Sequence, residues 1–220
     1  MNSGLDRLDF DLVLHTPVRV GTGAARLGVH ETIDQTVPVP ASSVKGVMRA
    51  AAVDLLSAGR DPYRAVPDIA PEPDDDHGRA GDVAEDHPPL VRAVFGGRRT
   101  PSPWHWNDPM PLVAWPENPV EHRTRIRIDS RTGTVLDGAL AVTEVLRPCT
   151  LRLAVTRRYP VDLADLPAHH ALLLLSALLV DGIGGGRSAG LGWAGLIPIR
   201  ESTVPEPAQL MEEVRRWTAR

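Results

Sequence analysis

The sequence predicts an α+β domain of the ferredoxin-like class. Three observations predict it. Residues 8–14 alternate apolar and polar side chains, residues 42–57 carry an apolar stripe at helical spacing, and an apolar helix from Pro167 to Asp181 leads through a glycine-rich loop into a strand. With the strand material between the two helices, the order is strand, helix, strand material, strand, helix, strand. That is the split βαβ order of a ferredoxin-like fold carrying insertions.

In the first strand, Leu8, Phe10, Leu12 and Leu14 alternate with Asp9, Asp11 and Val13, the period of a half-buried strand. From Thr16 to Ala41 the chain is rich in Gly, Pro and Thr without a sustained period, so a long, partly ordered loop is expected. Loops of this length in compact domains are usually functional. Ser42 or Ser43 then caps a helix to about Ser57, with Val44, Val47, Met48, Ala51 and Leu55 on its apolar side. Residues 59–89 hold six prolines and an acidic cluster, so 67–89 reads as a flexible acidic insertion. A short helix or turn, Leu90 to Phe95, precedes Trp104 to Trp115, which its prolines restrict to irregular strand. From His122 to Gly138, Arg123, Arg125 and Arg127 alternate with Thr124, Ile126 and Ile128 and turn at Thr132-Gly133, reading as an exposed, arginine-faced hairpin. One long strand is expected over Leu140 to Thr156, and a closing strand over Leu191 to Ile199. The whole is one domain over 1–200, with 201–220 a helical tail whose Leu210, Val214 and Trp217 share a face.

Composition narrows the function classes. The 220 residues are 42% hydrophobic and 24% charged, with one cysteine, Cys149, and a formal charge of -4. The longest apolar run, Ala171 to Val180, is about half of what a membrane span needs, and the N-terminus is charged where a signal peptide would be apolar. A cytoplasmic protein with no membrane partner is expected. No CxxC or HExxH spacing exists, which argues against zinc chemistry. Eight of the 28 acids fall between Pro67 and Asp86 beside the single base Arg79, so the body is mildly basic. Of its cationic residues only Lys45 is a lysine, and arginines suit bidentate phosphate contacts and stacking on bases.

Two motifs point to a polyanion. Five glycines lie between Gly184 and Gly192, around Arg187 and Ser188, where they permit close backbone approach and positive φ and leave amides for phosphate oxygens. Gly190 to Gly195 also fits GxGxxG, but it follows a helix and enters a strand, the reverse of a dinucleotide site. No GxxxxGK[ST] exists, so nothing supports an NTPase. The second motif, Pro38-Val-Pro-Ala-Ser-Ser-Val-Lys-Gly46, brings Ser42, Ser43 and Lys45 to a helix N-terminus, where hydroxyls, a cation and helix amides converge on an anion. Trp104, His105 and Trp106 are candidates for base stacking, but apolar residues on irregular strand are more often core. His169-His170 reads as a helix start.

These residues resemble a known family. PVPASSVKGVMR is similar to the "IPGSSLKGxxR" signature of the RAMP superfamily, the RNA-binding proteins of CRISPR effector complexes, and GIGGGRSAGLGWA to its C-terminal glycine-rich loop. Val94-Phe95-Gly96 resembles its "LFG" element, Ile126 to Gly133 its "IDRxTG" hairpin, and Thr143-Glu144-Val145 the "E-V" of the following strand. The marks occur in family order over nearly the whole chain, with Ala41 in place of the usual glycine.

The resemblance implies an RRM-like RAMP domain with a β-hairpin thumb, acting as a backbone subunit of a type III CRISPR effector. Its partners would be crRNA, complementary target RNA, other RAMP and large subunits, and copies of itself along the filament. Residues implied in RNA binding are Ser42, Ser43, Lys45, Arg49, Arg125, Arg127, Arg131, Gly185, Gly186, Arg187, Ser188 and Gly190. The family's catalytic aspartate lies in the N-terminal loop in an "IDSPV" context, and Ile33-Asp34-Gln35-Thr36-Val37 occupies the corresponding place. Asp34 would therefore hold a divalent metal, with Mg2+ the expected ion, or activate a ribose 2′-hydroxyl for target-RNA cleavage. Glu31 is the fallback carboxylate. Two alternatives stay open: a non-catalytic subunit capping the filament, and a metal-independent guide-processing endoribonuclease using His15 or His30.

Overall fold

The computed structural model describes residues 6–26, 28–57, 87–97, 99–115, 117–136, 138–199 and 205–219. Its core is a sheet with one helical face. Strand β1 (Arg7–Leu14) lies between β6 (Thr150–Arg157) and β7 (Ala194–Pro198), antiparallel to both, and β6 pairs in turn with β2 (Trp104–Trp106) and with β3 (Met110–Pro111). The strand order β2-β6-β1-β7 is the expected split βαβ arrangement. Helix α1 (Ala41–Ser57) crosses from β1 towards β2, and α3 (Leu166–Leu178) crosses from β6 to β7.

Alternation along the strands decides which face is covered. Phe10, Leu12 and Leu14 of β1, Leu151, Leu153 and Val155 of β6, and Ala194 and Leu196 of β7 are buried with Val44, Met48 and Ala52 of α1 and the apolar length of α3. Burying each large aliphatic side chain contributes roughly 1.5–3 kcal/mol. The opposite face stays polar at its centre, where Arg152 on β6 donates to Asp11 on β1 at 2.9 Å. Short helix α2 (Pro89–Phe95) sinks Leu90, Val91, Val94 and Phe95 into the same core. Helix α4 (Pro207–Thr218) buries Leu210 and Val214, and its Trp217 indole donates to Asp165 at 3.0 Å.

Several expectations change in detail. Helix α1 starts at Ala41, whose amide donates to the Asp108 carboxylate at 2.8 Å, so Ser42 and Ser43 lie within the first turn instead of capping it. The expected long strand over Leu140 to Thr156 is two strands, β5 (Ala141–Leu146) and β6, separated at Arg147-Pro148-Cys149. The hairpin pairs β4 (Val120–Arg125) with β5 in a sheet of its own, and 126–136 and 138–140 lie beyond this pairing. The N-terminal loop is more ordered than its composition suggested. Val18 bridges Leu146, Gly21 bridges Ile33, Glu31 bridges Thr143, and Val18, Thr32 and Ile33 are buried. The expected acidic insertion, 67–89, lies outside the described residues apart from 87–89. No helix among the described residues is long and apolar enough to cross a membrane.

Candidate nucleic-acid interface

The first cluster sits on α1. Lys45 and Arg49 are one helical turn apart, and Lys45 Nζ lies 4.9 Å from the centroid of the Trp106 ring. Burial, and then the neighbouring Arg49 charge, lower the Lys45 pKa from its ordinary value. Arg49 Nε is buried without a hydrogen-bond partner. Neither cation has an acidic partner among the described residues. Like charges at this spacing destabilise a helix and half-buried stems add desolvation, so the pair favours an anion as its third member. Ser43 is half-buried beside it and Ser42 is exposed.

The second cluster is the glycine loop. Gly184, at φ +81°, packs against the Arg19 carbonyl, where a Cβ would overlap the oxygen, and the Gly185 amide donates to that same carbonyl at 2.8 Å. Gly186, at φ +78°, lies beside the Arg125 guanidinium from the end of β4. The amides of Gly186, Arg187 and Ser188 donate to no described acceptor. Ser188 and Gly190 are exposed, while the Arg187 guanidinium is paired with Asp181 at 2.5 Å. A cleft of about 470 Å³ opens between this loop and the N-terminal segment, lined by Arg19, Gly21, His30, Glu31, Gly184 and Gly185. Arg19 and Glu31 form an ion pair at its wall.

Asp34 is exposed on the segment leaving this cleft. Its Oδ1 accepts the amides of Thr36 at 2.8 Å and Val37 at 3.1 Å, and these bonds, the Val37 one first, lower its pKa from the ordinary aspartate value. The residue before it is anchored from beneath: the Ile33 amide donates at 3.1 Å to the buried carboxylate of Glu144, whose other oxygen lies 3.7 Å from His122 Nε2. No group of three or more His, Cys, Asp and Glu side chains gathers to hold a metal among the described residues. The donor set at Asp34 is one carboxylate with one oxygen turned to solvent. That suits Mg2+ held mainly by RNA oxygens and water, since Mg2+ commonly takes one or two carboxylates plus substrate phosphates. Glu31 is committed to Arg19. The His30 Nδ1 accepts the Val142 amide at 3.0 Å, leaving only Nε2 outward, and the His15 ring packs on Trp193.

The hairpin tip completes the set. Asp129 Oδ1 accepts the Arg131 amide at 2.7 Å, Gly133 takes φ +69°, and Ile128 bridges Val135. Arg127 and Arg131 are exposed, as are Ile126, Ile128, Val135 and Leu140. Ile126 and Ile128 are outside the core cluster. Arg123 is paired with Glu121.

The glycine loop meets Arg125 at Gly186 and Arg19 at Gly184 and Gly185, and Arg19 is a residue that the motif reading missed because only its contacts with this loop mark it. The Lys45–Arg49 pair does not join them. Trp106 lies on β2 and the glycine loop leads into β7, with two strands between, a separation of about 14 Å at ordinary strand spacing. Trp104 and Trp106 are core residues, 2% and 5% exposed, and offer no stacking surface. A small ligand fits neither cluster to the other, but a single-stranded polymer can touch both.

A model of the RAMP superfamily matches residues 11–194. No curated protein matches the chain. Among solved structures, a chain of a type III-B Cmr-beta complex in its apo state superposes with a TM-score of 0.60 at 12% identity, covering 90% of this chain and 98% of that one. A chain of Cmr-beta bound to cognate target RNA gives 0.54 at 12% identity, covering 87% and 96%. A chain of a type IV-B CRISPR complex gives 0.53 at 18% identity, covering 91% and 95%.

Proposed function

Since the chain belongs to the RAMP superfamily, we propose that it is a crRNA-binding backbone subunit of a CRISPR effector ribonucleoprotein of type III, with metal-dependent cleavage of complementary target RNA at Asp34. The observation that carries the RNA-binding reading is the Lys45–Arg49 pair, two half-buried cations with no acidic partner among the described residues, in the segment where the signature motif lies. A phosphate seated there would supply a counter-charge to both cations. The glycine loop with Arg125 supplies a second contact across the sheet, and the exposed arginines of the hairpin a third. Further copies and other subunits of the complex would extend this track.

At Asp34 the chemistry favours a ligand over a base. A carboxylate held below its ordinary pKa is a poor proton acceptor and stays ionised over a wide pH range. Asp34 would hold Mg2+, which supplies Lewis-acid stabilisation of charge developing at the scissile phosphate. The Glu144 carboxylate, through the Ile33 amide, fixes where the Asp34 segment leaves the domain. The second reading, a non-catalytic subunit, draws on the same bonds, because an aspartate that accepts two following amides is also a turn residue.

Asp34→Asn separates the two, since asparagine keeps the accepting oxygen and loses the charge. In complexes assembled with guide RNA and given complementary RNA and Mg2+, Asp34→Asn and Asp34→Ala should both abolish cutting with guide and target affinity unchanged. Cutting by Asp34→Asn at the parental rate overturns the catalytic assignment and leaves the non-catalytic one. In the same preparations, Lys45→Ala with Arg49→Ala should weaken guide binding for every sequence and lower the salt slope by about 0.7 per lost phosphate contact. An unchanged slope overturns the carrying observation.

A further inference from the structure

We infer that Trp193, propped by His15, is a stacking platform for one nucleobase of single-stranded RNA. The inference rests on the RNA-binding reading and adds to it a contact to a base, where the clusters described so far offer cations and amides to phosphate. Trp193 is 60% exposed, the most exposed tryptophan side chain that the described core leaves outside it. It precedes β7, and because Ala194 and Leu196 point into the core, its indole stands on the uncovered face of the sheet.

The indole is held in place. Its carbonyl accepts the His15 amide at 2.9 Å, its amide donates to Thr16 Oγ1 at 2.9 Å, and its backbone bridges Gly182. The His15 ring lies 4.5 Å away at 34°, beside Gly195. An exposed tryptophan with a fixed backbone and a second ring against it presents a large π surface at little ordering cost.

Its surroundings select a nucleotide. The Arg187 side chain crosses Gly182 and Gly192, the residues bridged to and preceding Trp193, which brings a guanidinium to the bridge that carries the indole. The exposed ion pair of Arg187 with Asp181 costs little to open toward a phosphate. The unaccepted amides of Gly186, Arg187 and Ser188 belong to the same loop. A π face beside a cation and free amides matches a base and its own phosphate. An apolar protein surface would use the ring alone.

The test uses the full chain and two single-stranded RNA probes of equal length, one of mixed sequence and one with abasic riboses, with affinity read by fluorescence anisotropy. Trp193→Ala should weaken binding of the mixed-sequence probe roughly tenfold or more, with the salt slope unchanged and the abasic probe bound as by the parent. Trp193→Phe should retain most of the affinity, which also shows that position 193 tolerates change without loss of fold. His15→Ala should cause a smaller loss on the mixed-sequence probe only. Parental affinity of Trp193→Ala for both probes, or equal loss on both, overturns the platform while leaving RNA binding intact. A change in oligomeric state with no difference between probes assigns the ring to a copy of the chain and overturns it too. If the parent binds neither probe, the RNA-binding reading fails, and the platform with it.

Discussion

His169 shows what one buried side chain does to the whole stability curve. Its Nδ1 accepts the Trp104 indole N–H at 3.2 Å inside the core, and burial, opposed by Asp165 and aided by His170, lowers its pKa to about 4. Unfolded, the ring regains an ordinary value near 6.5. Between these values the unfolded chain binds more protons than the folded one, so stability falls as pH drops through this window. The His169 share of the loss between pH 7 and pH 5 should be about 2 kcal/mol. His169→Gln, which keeps an acceptor for Trp104 and cannot titrate, should flatten the pH dependence by that amount in urea unfolding at the two pH values. Parallel curves for parent and variant would show that the ring is not held neutral. Asp34 was legible as a candidate by its place in a motif, whereas Arg19 stands in none and Trp193, at the end of the glycine motif, carried no sign of its exposure. Their significance comes from neighbours distant in the chain, Gly184 and Gly185 for Arg19 and His15 for Trp193.

Among elements, the glycine loop distinguishes two kinds of glycine. Gly184 and Gly192 both have positive φ and both abut a carbonyl, of Arg19 and Ile183 respectively, that an added Cβ would overlap. Gly190 has the same φ with open space around it. Gly192→Ala should therefore cost more than about 3 kcal/mol, and Gly190→Ala only the left-handed penalty of about 1 kcal/mol, as measured by chemical denaturation. Equal costs would mean that conformation alone, without crowding, dictates the motif. Elements with strong local periodicity, β1, α1, α3 and α4, were readable within a few residues. The break between β5 and β6 was marked by Pro148, which the reading of one long strand passed over. The hairpin, by contrast, was legible: alternating Arg with Thr and Ile over 123–128 followed by a Thr-Gly turn marks an exposed ribbon, and every side chain there is exposed. The order of the N-terminal segment depends on Leu146, Thr143 and Glu144, which no local pattern around residues 16–41 discloses.

At the scale of the molecule, two clusters of cations and amides separated by the width of the sheet and a projecting hairpin make a surface suited to an extended chain, and the sheet itself was predictable because the order of strands and helices leaves few topologies. The position of β1 has a further, temporal consequence. It is made first, yet its partners are Thr150 to Thr156 on one side and Ala194 to Pro198 on the other. At a synthesis rate of roughly 5–20 residues per second, β1 waits on the order of ten seconds or more with both edges unpaired and Phe10, Leu12 and Leu14 uncovered. Closing such distant pairs is slow, and an exposed alternating strand is a template for unwanted pairing. Nascent chains arrested before Thr150 should thus be degraded readily by added protease and bound by chaperones. Resistance should appear in one step once β7 has cleared the ribosome, and protection of the shorter chains would show that the first half of the protein folds without its central strand pairs.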